Sequence, residues 1–574
     1  MRKQAIIRIR IITGLILLLA FGLTARLYAI QVVHHEVYET QASEQYVHSA
    51  QNIFNRGSIF FTTKDGERVS AASVRTGYVL AVNPNRLTDP DEVYDALEEY
   101  LDTDREAFIE RATLPGRTYV EIQGRISKDV ATEIREHELQ GVMLYPDQWR
   151  YYPGNSLAAQ TIGFTAFSDD SGVVQRGRYG LERYYDDILQ REDETLSINF
   201  FAEIFTNLGS LLSSEEDTAA HGHLVTTLEP TVSRMLDDVL HEVHDEYSSS
   251  HTGGIIMDPS TGDVIAMGVA PSYDNNDRSN VSIEQFRNPL VQDVQEFGSI
   301  VKPLTIAAGI DANIISPTSG FYDAGYIELD GFRIQNFDGR ARGQVDMQTV
   351  LNQSLNTGVS YIVDEMGTGS FRDYFLSLGL AHPTGIDLPS EGRGLVSNLE
   401  SPRRVEYATA SFGQGIAVTP IAMTRALAAL GNGGVLVEPR VVSHITYSNG
   451  DQEDMEIPTE KHRVYSEDTS EAISRMLTNT VDEALRGGSV ALPNHTVAAK
   501  TGTAQIANPI TRGYYDDKFL HSFFGYFPAY DPKFIVLLYT IEPKDVRYAS
   551  ETLTDPFMDI TNFLLNYYQI PPDR

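Results

Sequence analysis

Val497-Ala498-Ala499-Lys500-Thr501-Gly502-Thr503-Ala504-Gln505 is the stretch on which the fold turns. Small apolar residues lead directly into Lys-Thr-Gly, so the run reads as a strand. Lys and Gly are poor strand formers, and their place at its centre signals a demand other than strand stability. Lys500 and Thr501 offer a charge and a hydroxyl to a carboxylate. Gly502 leaves room for a ligand to lie against the backbone. Two shorter patterns precede it: Ser299-Ile300-Val301-Lys302 is an S-x-x-K, and Ser354-Leu355-Asn356 is an S-x-N. In a chain of 574 residues each pattern alone arises easily by chance; their order and spacing give them weight.

The residue types suit nucleophilic chemistry. Glu296-Phe297-Gly298 predicts a turn, and Ser299 then opens an apolar helix over 300–312. Residues i and i+3 share a helix face, which sets Lys302 beside Ser299. A serine hydroxyl is a poor nucleophile until a base accepts its proton. Lys302 can be that base only when neutral. Burial and the nearby Lys500 charge would lower its pKa from about 10.4. The competing reading is a helix-capping serine with an exposed lysine. Ser354 and Asn356 follow a helical stretch, 347–353, and can face one cleft. There Ser354 would relay a proton to a leaving amine, while Asn356 would hold a substrate amide and steady Lys302. Asn356-Thr357-Gly358 also fits a plain polar helix end. The N–H groups of Ser299 and Thr503 can form an oxyanion hole.

The bulk composition narrows the classes. Apolar residues make up 42% of the chain, enough for several domains with ordinary cores. The formal net charge of −34 excludes nucleic acid as a partner, because the basic footprint is missing. There is no cysteine, so disulfides, thiol catalysis and cysteine metal sites are excluded. The 14 histidines show no metal-ligand spacing, and the reading calls for neither metal nor cofactor.

The N-terminus predicts a membrane anchor over 11–33. Residues 11–25 are uncharged and apolar, and Leu27 to Val33 extend the run to spanning length. Arg26 lies about 22 Å from Ile11 along a helix, where it can snorkel. Arg2, Lys3, Arg8 and Arg10 place residues 1–10 in the cytoplasm and the rest outside. A cleaved signal peptide is the rival, but no small-x-small site follows the apolar run. Beyond it the chain divides into 34–220 and 221–574. The first part predicts a helix over 34–51, β-rich runs over 60–84, and helices near 91–100 and 127–137. An acid-rich connector, 213–220, ends it. Within 199–212, Phe201, Ile204, Phe205, Leu208, Leu211 and Leu212 fall on one helical face, fit either for packing or for docking a protein partner. The second part predicts a strand at 224–228, a helix over 230–247, a hairpin over 253–267, and helices dominating 299–432. Late strands follow at 497–503, 521–526 and 534–541, with a closing helix at 555–568. Strands from both ends around a helical middle predict an α+β unit, helices against an antiparallel sheet.

With these motifs the chain resembles a class B penicillin-binding protein over nearly its whole length. Arg56-Gly57-Ser58-Ile59 resembles the element that opens the family's non-catalytic pedestal. Tyr152-Pro153-Gly154, Ile162-Gly163-Phe164 and Gly180-Leu181-Glu182 resemble further pedestal signatures. Thr384-Gly385-Ile386-Asp387-Leu388-Pro389 and Gly413-Gln414-Gly415-Ile416-Ala417-Val418-Thr419-Pro420 resemble further family elements in the catalytic part. Phe297 stands where the family commonly has Pro. The resemblance implies an elongated α/β pedestal or dimerisation domain at 34–220 and a serine transpeptidase domain at 221–574. It implies a D,D-transpeptidase, with carboxypeptidase side activity possible, that cross-links peptidoglycan stem peptides on nascent glycan and is acylated by β-lactams. Ser299 is then the nucleophile and Lys302 the base, with Ser354 and Asn356 completing the network. Lys500, Thr501, Gly502 and Thr503 bind the substrate's carboxyl end. Gly513-Tyr514-Tyr515, the run from His521 to Pro528, and Ile541-Glu542-Pro543-Lys544 are similar to the division branch rather than the elongation branch. With no polymerase domain in the chain, the resemblance implies a membrane glycosyltransferase and other cell-wall or division proteins as partners. A serine β-lactamase or β-lactam sensor shares the three motifs, but no Glu-x-x-x-Asn segment follows Ser354 to activate water, and little chain lies inside for signalling. A catalytically inactive division scaffold is the remaining alternative.

Overall fold

The computed structural model describes residues 13–14, 18–19, 21–23, 26, 28, 55–167, 175–191, 221–457, 462–511 and 513–574. The predicted helices over 34–51 and 199–212 and the connector 213–220 lie outside them. So does most of the span 11–33; Leu18, Leu19 and Phe21 within it are helical and exposed. Among the described residues no helix is long and apolar enough to cross a membrane.

Five antiparallel strands form the sheet that carries Lys500. Their order is Ala498–Asn508, Gly513–Phe527, Phe534–Ile541, His251–Met257, Val264–Ala270. Alternate residues serve opposite faces. Phe523, Val536, Leu538 and Ile256 point to one face, under helices Pro230–Glu246 and Thr554–Tyr567. Phe524, Leu537, Tyr539 and Ile255 point to the other, where Leu304, Ala307 and Ile421 arrive from helices Lys302–Asp311 and Pro420–Ala428. Helix Pro230–Glu246 shows why such segments fold. Glu229 caps it by accepting from the Val232 N–H at 2.6 Å, and proline fills the first position. Val232, Leu236, Leu240 and Val243 make its buried stripe. The predicted strands and the closing helix therefore stand where the sequence placed them.

The predicted 224–228 strand, Gly222–Thr226, joins a different sheet. It runs parallel to Ile59–Thr62, with Leu224 opposite Ile59, and antiparallel to Val442–Tyr447. That seven-stranded sheet continues through Arg68–Val82 to Val120–Ile126 and Val142–Tyr151. One sheet thus ties the first part of the chain to the second. Its far end packs Leu80, Val82 and Ile122 under helices Pro90–Leu97, Arg105–Ala112 and Lys128–Glu136. At its near end three distant sequence elements meet on one carboxylate. Arg56 Nε and Arg150 Nε each donate to Glu182 at 2.6 Å, and Arg56 also donates to Asp186 at 2.7 Å.

Helices were expected to dominate 299–432. Two small two-stranded sheets interrupt them: Gly320–Asp323 with Gly343–Asp346, and Tyr326–Leu329 with Phe332–Gln335. The signal was present. Asp330-Gly331, both at positive φ, is the two-residue turn that closes a twisted hairpin between alternating apolar residues.

Candidate active site

Ser299 lies on a 3-10 turn, Gly298–Val301, that runs into helix Lys302–Asp311. Side chains at i and i+3 eclipse in such a turn, which sets the Ser299 and Lys302 positions on one side of it. The turn is pressed between two partners. Gly298 donates from its N–H to the Gly413 carbonyl at 3.3 Å, which brings the Gly413-Gln414-Gly415 element behind the serine. On the other side, Ser522 Oγ donates to the Phe297 carbonyl at 2.8 Å and the Gly502 carbonyl at 3.3 Å. That hydroxyl joins the serine turn to the Lys-Thr-Gly strand. Glycine is required there: a Cβ on Gly502 would stand 2.4 Å from Ser522 Oγ and 2.6 Å from the Phe297 carbonyl.

Lys302 is 1% exposed and Lys500 4%. Lys302 Nζ donates to the Ser354 carbonyl at 2.5 Å and to Ser354 Oγ at 3.0 Å. Lys500 Nζ donates to the same Oγ at 3.2 Å and to the Thr501 carbonyl at 3.0 Å. Ser354 therefore sits between the two amines, in line to pass a proton. Neither lysine has a carboxylate partner among the described residues. Burial, and then the Lys500 charge, hold the Lys302 amine well below its usual pKa. Burial alone lowers Lys500 to about 8. Both amines therefore release a proton more readily than an ordinary lysine, Lys302 under the added repulsion of Lys500. Ser354 adopts φ +54°, the left-handed region a non-glycine residue rarely holds without outside support.

Asn356 is placed differently from expectation. Its amide donates to the Gln335 carbonyl at 3.0 Å, while the Lys302 amine finds its partners on Ser354. Thr501 and Thr503 are half-buried, and Thr503 Oγ1 accepts from the Ala549 N–H at 3.1 Å. Two features went unread in the sequence. Tyr514 donates its hydroxyl to Glu296 at 2.9 Å, joining a tyrosine read as a branch signature to a glutamate read as part of a turn. Burial raises the Glu296 carboxyl. Phe337 and Tyr548, both exposed, meet edge-on, ring centres 5.9 Å apart. Exposed aromatics with no periodic setting left no trace by which a sequence reading could pair them.

The penicillin binding protein transpeptidase domain model matches residues 252–561, which hold all three motifs. The chain belongs to that family. The penicillin-binding protein dimerisation domain model matches residues 55–202. Among similar family members, Stage V sporulation protein D of Bacillus subtilis is 29% identical over 569 residues, covering 95% of this chain and 84% of that protein. Peptidoglycan D,D-transpeptidase FtsI of Escherichia coli is 26% identical over 585 residues, covering 99% and 92%. Two solved structures share the fold. Penicillin binding protein 3 from Mycobacterium tuberculosis, complexed with aztreonam, superposes with a TM-score of 0.68 at 22% identity, over 91% of this chain and 97% of that one. Penicillin Binding Protein 2X from Streptococcus thermophilus gives 0.71 at 19%, over 91% and 81%.

Proposed function

We propose that this penicillin-binding protein is a serine peptidoglycan D,D-transpeptidase of cell division. The observation that carries the reading is the buried, acid-free pair Lys302 and Lys500 meeting on Ser354. Ser299 Oγ attacks the carbonyl of the penultimate D-Ala and gives its proton to neutral Lys302. Ser354 relays that proton to the departing D-Ala nitrogen as the peptide bond breaks, leaving an ester on Ser299. An amine of a neighbouring stem then attacks the ester, the new amide forms, and the serine oxygen recovers a proton through the same lysine. Lys500, Thr501 and the strand backbone at Gly502 take the substrate's terminal carboxylate. The N–H groups of Ser299 and Thr503 stabilise the oxyanion. Asn356 receives the substrate amide. A β-lactam acylates the same serine, but its leaving nitrogen stays tethered, so the adduct persists.

The division role draws on the names of the relatives, FtsI among them, and on Gly513-Tyr514-Tyr515. Residues 11–33 are the single membrane anchor, with 1–10 cytoplasmic. The pedestal, 34–220, and the catalytic unit, 221–574, stand outside. Partners are stem peptides, nascent glycan, a membrane glycosyltransferase and other division proteins.

The test is acylation by fluorescent penicillin with the site read by mass spectrometry. The adduct is expected on Ser299 and absent from Ser299→Ala. An adduct on Ser354, or none on folded wild-type protein, overturns the assignment.

A further inference from the structure

Asp323 ends the strand Gly320–Asp323, outside all three motifs, and is fully buried. A buried carboxylate is costly unless every lone pair is used. Here four groups donate to it: the N–H of Gly325 at 2.9 Å, the N–H of Arg342 at 2.9 Å, the Asn336 amide at 2.9 and 3.1 Å, and the Thr357 hydroxyl at 2.8 Å. The last two lead straight to the cleft. Thr357 follows Asn356 in the chain. Asn336 follows Gln335, whose carbonyl accepts from Asn356. Asn336 Oδ1 also accepts from the Thr357 N–H at 3.4 Å and lies 3.0 Å from the Thr357 hydroxyl, whose single proton goes to the nearer Asp323. The first turn of helix Asn356–Met366 is thereby docked on the small sheets of 320–346.

The opposite flank of this turn is held by Lys302, through the Ser354 carbonyl and hydroxyl. Ser354 between them keeps its left-handed backbone. Such a conformation relaxes when either flank lets go. Hydrogen bonds to a carboxylate are stronger and shorter than those to a neutral group, so a charged anchor suits this load.

We propose that Asp323 is the positioning residue of the S-x-N turn. By holding Thr357 and Asn336 it keeps Ser354 at the distance that Lys302 and Lys500 need for proton relay, and keeps Asn356 aimed at the substrate amide. The role rests on the transpeptidase reading of the site. Asp323 itself touches no reacting atom. Its loss acts on the chemical step through Ser354, while Lys500 and Thr501 stay fixed by their own pairing with Phe524 and Phe523.

Penicillin acylation resolved into a reversible binding constant and an acylation rate constant tests this. Thr357→Val keeps the shape and removes the hydroxyl, Thr357→Ser keeps the hydroxyl, and Asp323→Asn removes the charge. Thr357→Val and Asp323→Asn are expected to slow acylation by about tenfold to a hundredfold, the effect of about an ångström of misplacement. The binding constant should move by no more than about threefold, and Thr357→Ser should stay within about threefold of wild type, since neither the carboxylate site nor the hydroxyl is lost. Combining Asp323→Asn with Thr357→Val should slow acylation no further than one alone, because the two share one path. If Asp323→Asn does not fold, the Thr357 pair decides. Normal acylation of Thr357→Val, or an equal fall in Thr357→Ser, overturns the positioning role alone. A wild-type protein that penicillin does not acylate overturns the transpeptidase reading and this role with it.

Discussion

Where the pedestal buries Arg56 and Arg150 it supplies a carboxylate for them; where the cleft buries Lys302 and Lys500 the described residues supply none. Glu182 is fully buried between the two guanidiniums. Burial by itself would raise its carboxyl, but the Arg150 and Arg56 charges outweigh that and hold it below the usual range. Every charge there is neutralised, and the group is fixed architecture. In the cleft the same depth of burial meets two positive charges and hydroxyl or carbonyl oxygens only. The outcome is a pair of weakened ammonium groups, poised to exchange protons. A buried cation with an acid reads as structure, while a buried lysine without one can shed its proton and reads as chemistry.

The largest effect expected from this contrast is on rate. Lys302→Arg keeps a buried cation but cannot release a proton. Loss of a general base costs about 10²–10⁴-fold, so stopped-flow penicillin acylation should fall by that much while the circular dichroism spectrum stays native. Acylation within a few-fold of wild type would remove Lys302 from the role and erase the distinction between the two regions. Next is Glu182→Gln. It strands Arg150, while Arg56 keeps Asp186 at 2.7 Å. Breaking a buried pair from one side costs about 3–5 kcal/mol. The urea midpoint should drop accordingly, with the folded fraction still acylating at the normal rate. A loss below about 1 kcal/mol, the size of an exposed pair, would mean that water reaches these groups.

The two regions also differ in how far they can be read from sequence. The strand Ala498–Asn508 and the turn at Ser299 were legible because apolar runs of period two or an apolar helix frame residues whose types make sense only chemically. Lys302 beside Ser299 follows from local spacing alone. The Glu182 knot was not legible as a knot. Arg56 lies 126 residues from Glu182 and Arg150 lies 32, so only the closed sheet brings them together. The strand Gly222–Thr226 was legible as a strand, but its pairing with Ile59–Thr62 depends on tertiary partners that its own residues do not name. Asp323 was invisible for the same reason. A buried carboxylate whose donors are mostly backbone N–H groups and neutral side chains leaves no charge pattern to find. The Asn356 amide shows the converse: its identity was legible, while its partner, the Gln335 carbonyl, sits on a hairpin hidden in a stretch that reads as helical.

The smallest effect, and the one that probes the contrast most directly, concerns the cost of an unpaired charge. Burial takes Lys500 from 10.5 to about 8. That fall corresponds to about 3 kcal/mol at most against the charged form. Lys500→Met removes the charge and keeps the length, so at pH 7 the variant should be more stable than wild type, the opposite sign to Glu182→Gln. Lost hydrogen bonds to Ser354 and Thr501 reduce the gain. The pH dependence follows from linkage. Below about pH 8 both the folded and the unfolded chain hold this proton, and the full cost is present. Between there and about 10.4 the folded chain has released the proton while the unfolded chain still binds it, so wild-type stability rises with pH relative to the variant. The gap in urea midpoint between the two proteins, taken at matched pH so that other groups cancel, should be widest at pH 7 and close as pH rises from about 8 toward 10. A gap that does not change with pH, or a variant less stable at pH 7, would show that the Lys500 ammonium is stabilised in place as Arg150 is. The cleft would then hold its cations the way the pedestal does.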